Sequence, residues 1–505
     1  MGKIVIHFAR LGPYHLARLK SAGEVLGPTG WRVVALETAG GDATYAWERM
    51  ESVGQDFERR TVFDDRVYEE ISASEAKRGI FQELDKIQPQ AVAIAGWGTA
   101  DARACLAWCN KNGAKAIVMS ETRAADGRRV WWKEWIKSRL VRKFDGALCG
   151  GESHKRYLMA LGIPAERIEF GYNVVDNCFF GQIRNGECSE QGGEAGLTTI
   201  ERGRRCEKEQ PKVGPKGEGV GTTESKSTEL EAGARLSCQA GDEFSIPLTS
   251  ELARDSETPS CTRFADASAF LRANSDSLPA TELQVPAGPF FLASNRFVER
   301  KNLGRLIQAY AKYAESFHQG GVENIWPLVL LGDGELRGEL EALCGELGLI
   351  IAGGHSHGGA ERAEGEHLKL NSYKLKTPTV GGLVVFAGFR QIEELPAFYA
   401  GAGAFVHSAL EEPWGLVINE AMASGLPVLS SRNVGAAEEL VVDGKTDYLF
   451  DPRNIEEMAN AMSKVTGMTQ EEQLTMGRAA FEMVERKAPA KAFGEGLAKL
   501  LIGKL

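Results

Sequence analysis

The apolar positions of this chain fall in short runs, each followed by a stretch with helical spacing. "KIVIHFA" leads into "YHLARLKSAGEVL", "AVAIAGW" leads into "ADARACLAWCNKNG", and "KAIVMSE" and "GALCGG" follow. Runs of about four to eight apolar residues bounded by turn signals read as buried strands, and apolar residues at i, i+3 and i+4 read as helices. Strand and helix in alternation predict a parallel sheet wrapped by helices. Ligands of such sheets lie beyond the carboxyl ends of the strands. The loops "ARLGPYH", "GWGTAD" and "SETRAAD" fall there.

The texture changes after residue 180. Between Gly181 and Ser260 the only aromatic residue is Phe244, among many Gly, Glu, Ser, Thr and Lys. Such a segment buries too little apolar surface to offset its ordering entropy, so residues 181–287 are expected to be a mostly disordered insertion or linker. A second alternation begins with "FFLASNRFVERKNLGRLIQAYAKYAESF" and runs through "WPLVLLGDGELRGELEALCGEL", "LVVFAGF" and "IEELPAFYAGAGAFVHSAL". Two αβ halves are therefore expected, at 1–180 and 288–470, with helix over 471–505. Two Rossmann-like halves imply a cleft, one substrate to each side. A loop at about 351–381 carries "HSHGG", but two histidines without a carboxylate or cysteine partner make a poor metal set, and no metal is expected.

Length and charge narrow the function. At 505 residues the chain exceeds a single core. Its net charge of −10 argues against a nucleic-acid coat. No window approaches the ~18 apolar residues of a membrane span, and the N-terminus reads as a first strand, not a signal peptide. Nine scattered cysteines without a C-x-x-C pair suit a reducing cytoplasm. Cys105 and Cys109 read as buried packing in a helix. Cys188, Cys206, Cys238 and Cys261 lie in or just past the insertion, with spacing unlike a zinc site.

Three stretches carry candidate chemistry. In "SNRFVERKN", Arg296 and Lys301 follow a strand, where a fork and a point charge suit a phosphate, although solvated loop charges look the same in sequence. "LLGDGELRG" places Gly332 and Gly334 at a strand-to-helix turn, a weak dinucleotide signal with its third glycine misplaced. In "EEPWGLVINE", Glu412 stands just ahead of a helix and Glu420 about one and a half turns inside it. Acids near a helix start are stabilising in themselves, by about 0.3–1 kcal/mol. The Trp414-Gly415 turn between them is unusual for capping alone, and Gly415 permits backbone N–H groups to approach a ligand.

Together these residues resemble the retaining GT-B glycosyltransferases of family 4, the glycosyl transferases group 1, whose hallmark is E-x7-E. Glu412 and Glu420 fit that spacing, with "ASNRFVERKNL" before them and "GAAEELVVDGKTDYLFDP" after. The resemblance covers residues 288–465 except the 351–381 loop, and more loosely the N-terminal half through "LGPYHLARL". It implies two Rossmann-like domains facing across a cleft and a final helical segment that returns to the N-terminal domain. It further implies metal-independent, front-face transfer of a sugar from a nucleotide diphosphate-sugar to a sugar, lipid-linked or other acceptor. Carried over, Glu412 is the catalytic sugar contact and Glu420 the ribose ligand. Arg296 and Lys301 form the diphosphate clamp, and Gly415 and Leu416 supply backbone amides.

The N-terminal half departs from the pattern. Gly12 stands alone where relatives have a glycine pair, and Glu121 occupies a position where many carry histidine. With His15 these are the expected acceptor-side residues. Residues 128–143, "RRVWWKEWIKSRLVRK", hold seven basic residues, one acid and three tryptophans. Some relatives dock such a helix on anionic membranes, but a packing helix with a solvated basic face has the same pattern and is the favoured reading. The competing functions are a non-catalytic nucleotide-sugar binder and a GT-B sugar-nucleotide epimerase.

Overall fold

A computed structural model describes residues 2–43, 47, 56–185, 286, 288–319, 325–353 and 381–503. The insertion, but for its ends, and the "HSHGG" loop lie outside the described residues, as do Cys188, Cys206, Cys238 and Cys261.

The N-terminal half holds β1 (Gly2–Phe8), β2 (Trp31–Gly41), β3 (Glu58–Val67), β4 (Ala91–Ala95), β5 (Lys115–Ser120), β6 (Gly146–Cys149) and β7 (Ile168–Phe170). They form one sheet in the order β3-β2-β1-β4-β5-β6-β7, parallel throughout. Successive residues point to opposite faces, and both faces are covered. Ile4, Ile6, Ala93 and Met119 are buried on one side, and Val5, Val34, Ile94 and Val118 on the other. That two-sided burial is why the strands read as unbroken apolar runs. The helices are α1 (Pro13–Leu26), α2 (Ala73–Ile87), α3 (Ala100–Asn112), α4 (Trp131–Val141), α5 (Glu152–Leu161) and α6 (Asn177–Asn185), the last crossing residue 181.

The second sheet is built from β8 (Phe291–Ser294), β9 (Leu328–Leu331), β10 (Ile350–Ala352), β11 (Leu383–Gly388), β12 (Ala404–His407), β13 (Val428–Ser431) and β14 (Asp447–Phe450). Its order is β10-β11-β9-β8-β12-β13-β14. Around it lie α7 (Leu303–Gln319), α8 (Arg337–Glu346), α9 (Leu395–Gly401), α10 (Leu416–Ala423), α11 (Gly435–Leu440), α12 (Ile455–Thr466), α13 (Gln470–Lys487) and α14 (Ala492–Ile502). At the β9 turn, a Cβ on Gly332 would stand 1.9 Å from the Asn295 carbonyl oxygen, and the residue's φ is +130°. These glycines serve a tight turn. The fold is GT-B: two parallel αβα halves, each with a strand-order reversal near its middle.

The end of the chain returns to the first half. α14 lies on α1, where Gly494 N–H donates to Ser21 Oγ at 3.1 Å. A buried apolar cluster runs across both halves, joining Phe8, Tyr172 and Phe180 to Tyr399, Trp414 and Met422. Cys105 and Cys109 are buried thiols, as expected.

α4 departs from the packing-helix reading. It buries only Val141, and Trp131 is 82% exposed, with Trp132, Trp135 and Ile136 also on the surface. The periodicity marked a helix but not which of its faces a neighbour covers. Among the described residues no helix is long and apolar enough to cross a membrane.

Candidate functional site

β8 and β12 are neighbours although 109 residues separate Ser294 from Ala404 in number, because the strand order reverses between them. At such a switch point the two following loops diverge and leave a crevice at the carboxyl ends of the strands. Here the loops are stapled together. Asn302, at φ +60°, donates through its side chain to the Ser408 carbonyl at 3.0 Å and the Pro452 carbonyl at 2.7 Å. Ser408 Oγ donates to the Lys301 carbonyl at 2.9 Å, and Leu410 N–H to the Arg300 carbonyl at 2.9 Å.

The staple brings Lys301 Nζ to 2.6 Å from Glu412 Oε2, with both side chains largely buried at 10% and 12% exposure. Arg300, half exposed, reaches the same oxygen at 3.3 Å. Burial lowers the Lys301 pKa, and Arg300 and Arg296 add to that, while Glu412 opposes it. Arg296 itself is exposed on the loop. Two cations around one carboxylate, next to a helix start, form a local positive site in an acidic protein. The helix is α10. Gly415 occupies its N-cap at φ +96° and no side chain caps it, so the amides of Leu416 and Val417 are left at the loop side, the Ile418 N–H already donating to the Gly415 carbonyl at 3.0 Å.

Glu420 lies inside α10 and is fully buried. Tyr399 donates its hydroxyl to Glu420 Oε2 at 2.6 Å, while Oε1 has no hydrogen-bond partner among the described residues. Burial pushes its carboxyl up to about 7, against the hydroxyls of Tyr399 and Tyr14 and the charge of Lys301.

The N-terminal half supplies the opposite wall. Gly12 caps α1 and donates its N–H to His15 Nδ1 at 2.9 Å, so the neutral ring carries its proton on Nε2. Burial, then Arg18, pushes His15 down to about 3, so it is neutral at physiological pH. Glu121 accepts from Asn173 Nδ2 at 2.7 Å. Its surface is open to solvent, yet protein surrounds it closely enough that enclosure raises its pKa, with Glu412 and Asp126 adding and Asn173 and Arg18 opposing. The two walls meet where Arg123 of the N-terminal half donates to the Glu412 carbonyl at 2.7 Å.

The structure thus brings Lys301, Glu412 and Gly415 on adjoining loops together with Leu416 and Glu420 of α10 in one half, and Gly12, His15 and Glu121 in the other. The sequence reading missed Arg300, although it adjoins Lys301. It also missed His407, buried beneath Gly415 with neither ring nitrogen partnered among the described residues. Burial keeps that ring neutral, with Lys301 and Arg300 reinforcing the effect. The Trp414 side chain is buried, donating Nε1–H to Asn419 Oδ1 at 2.8 Å, so Gly415 alone makes the turn's approach to the crevice. Among the described residues no three His, Cys, Asp or Glu side chains converge on a common point.

Comparison with known proteins agrees with this architecture. Residues 345–483 match the family model described as glycosyl transferases group 1. The alpha-1,3/1,6-mannosyltransferase alg-2 of Neurospora crassa is 28% identical over 245 residues, 45% of each chain. The lipopolysaccharide core biosynthesis glycosyltransferase LpsE of Rhizobium meliloti is 30% identical over 185 residues, 36% of this chain and 42% of that one. The matched region spans less than half the length of these curated relatives. Among solved structures, HepE of Anabaena in complex with UDP and glucose superposes with a TM-score of 0.57 at 13% identity, over 99% of both chains. Sucrose-phosphate synthase of Thermosynechococcus elongatus does so with 0.58 at 15% identity, over 99% and 98%. The likeness to these structures is one of fold.

Proposed function

We propose that this chain is a retaining glycosyltransferase of family 4, moving a sugar from a nucleotide diphosphate-sugar to an acceptor hydroxyl without a metal. The observation that carries the reading is the convergence of Lys301, Arg300 and Glu412 at the uncapped start of the helix that bears Glu420. In this reading the donor diphosphate takes over the cations now paired with Glu412. Lys301, Arg300, Arg296 and the α10 amides, beginning with Leu416, then hold the charge that grows on the diphosphate as the glycosidic bond breaks. The freed Glu412 carboxylate contacts the donor sugar. Glu420 is the ribose ligand in this reading: its Oε1, unpartnered and buried in this structure, accepts from the ribose hydroxyls once the donor opens the site. The acceptor oxygen bonds to the anomeric carbon on the face the diphosphate leaves, and its proton passes to the departing phosphate oxygen. Gly12, His15 and Glu121 form the acceptor side.

In the same reading the enzyme works in the cytoplasm, peripheral to an anionic membrane surface. The support for that is α4, whose exposed Trp131, Trp132, Trp135 and Ile136 lie among Arg128, Lys133, Arg139 and Lys143. Aromatic rings and cations on one exposed helix suit the interfacial region of an anionic bilayer.

The test is incubation of the full chain with UDP-, GDP- and ADP-sugars, with nucleoside diphosphate release followed. Slow hydrolysis of one donor class, giving first the sugar anomer of the donor, supports the reading. Binding without release of diphosphate under any condition assigns a binder instead.

A further inference from the structure

Two side chains of the N-terminal half donate to the backbone of the loop that carries Glu412. Arg123 Nη2 lies 2.7 Å from the Glu412 carbonyl oxygen and 2.8 Å from that of Asn433. His154 Nε2 lies 3.0 Å from the Pro413 carbonyl oxygen. Arg123 and His154 are both buried. A carbonyl only accepts, so His154 carries a proton on Nε2, and burial keeps the ring neutral. Arg123 sits in the loop after β5, aimed by a 3.0 Å pair with Asp126.

The surrounding surface is shaped for this contact. Gly150 and Gly151 end β6, and a Cβ on Gly150 would stand 2.8 Å from the Trp414 ring. One on Gly151 would stand 2.4 Å from the Glu439 carboxyl carbon. The glycine pair therefore makes room for Trp414 and lets Glu439 accept from the Glu152 N–H at 2.5 Å. Arg156 pairs with Glu438 at 3.1 Å, and Asn419 Nδ2 donates to the Asn173 carbonyl at 3.3 Å. Within its own half the Glu412 carbonyl also accepts from the Gly435 N–H at 3.1 Å, while the Glu412 N–H makes only a long bond, 3.4 Å to the Asn433 carbonyl.

We propose that Arg123 and His154 are positioning residues: they grip consecutive carbonyls at Glu412 and Pro413, so that the full alignment of Glu412 requires the two domains to be docked. The inference rests on Glu412 being the donor-sugar contact. A catalytic group displaced by about 1 Å costs on the order of 10²-fold in rate, so a loop held by the other domain makes turnover depend on docking. Donor affinity depends less on it, because the diphosphate cations belong to the C-terminal domain alone.

The test has two arms on the full chain. In the first, hydrogen exchange is measured without ligand in peptides covering 410–416 and 150–156. The double variant Arg123→Met, His154→Phe is expected to exchange faster in both segments, and unchanged exchange overturns the proposal. In the second, an equimolar mixture of UDP-glucose, UDP-N-acetylglucosamine, GDP-mannose and ADP-glucose is supplied, and the one consumed is then assayed alone. His154→Phe is expected to lower kcat by roughly 30-fold or more with donor KM changed by less than about 3-fold. His154→Gln, whose amide donates to the same carbonyl, is expected to recover most of the loss. Equal losses in the Phe and Gln variants that track their melting temperatures, or none in either, overturn the positioning role. Should the unaltered chain consume no sugar nucleotide, the transferase reading fails, and the exchange arm still decides whether Arg123 and His154 hold the domains together.

Discussion

Lys301 Nζ sits 2.6 Å from Glu412 Oε2, although the residues are 111 apart in sequence. They meet because β8 and β12 flank the reversal in strand order, and because Asn302 and Ser408 lock the two loops to one another. In the proposed reading, a cation and an acid held this way, beside a helix start, form a donor site that waits in self-paired form.

Removing the cation is expected to leave Glu412 with only the half-exposed Arg300. Lys301→Ala should weaken nucleotide-sugar binding by at least about 30-fold, the effect of losing one partner of a buried charged pair, roughly 2–5 kcal/mol. Calorimetry on the folded variant checks this, and unchanged affinity would sink the diphosphate assignment.

Glu412→Gln keeps the shape of the side chain and removes its charge. If Glu412 acts on the sugar as the bond breaks, kcat should fall by about 10²–10³-fold while donor KM changes little. A loss confined to KM would make Glu412 a binding residue only.

Glu420 ties stability to pH. Its folded pKa of about 7 lies above the ordinary 4.5, so between these values the folded chain holds a proton that the unfolded chain has lost. Stability therefore falls as pH rises through that window, by up to about 3 kcal/mol from this group. Glu420→Gln removes the effect. The melting temperature of the variant relative to the unaltered chain should be more favourable at pH 8 than at pH 5, and a flat difference would contradict the assigned ionisation.

The exposed ring cluster of α4 makes a separate forecast. The chain should co-sediment with vesicles of phosphatidylcholine and phosphatidylglycerol, and less so at high salt. The triple variant Trp131→Ser, Trp132→Ser, Trp135→Ser should lose most of that binding and keep its melting temperature, since none of these rings is buried. Equal sedimentation of both proteins would remove the membrane from the account.

Much of this was legible in sequence because its signals are contiguous. The apolar runs around Ile4, Val92 and Val118 announced buried parallel strands, and the Glu412 to Glu420 spacing lay within one turn and helix. What stayed hidden was long-range. Nothing near Arg123 or His154 reveals carbonyl partners 289 and 259 residues away. Gly150 and Gly151 read as a strand end, though the room they leave for Trp414 and Glu439 is their structural consequence. Tyr14 and Tyr399 come to Glu420 from other helices, and burial at that point, not local pattern, sets its ionisation. The exposure of α4 was hidden for the same reason, because periodicity does not say which face finds a neighbour.

The central claim is that the crevice of Lys301, Glu412 and Glu420 binds a nucleotide sugar. Thermal shift with a panel of UDP-, GDP- and ADP-sugars tests it most directly, since a ligand that binds only the folded chain raises its melting temperature. The account predicts that one base class raises the melting temperature of the unaltered chain and that Lys301→Ala abolishes the rise. No shift with any donor, or the same shift in Lys301→Ala, would contradict it.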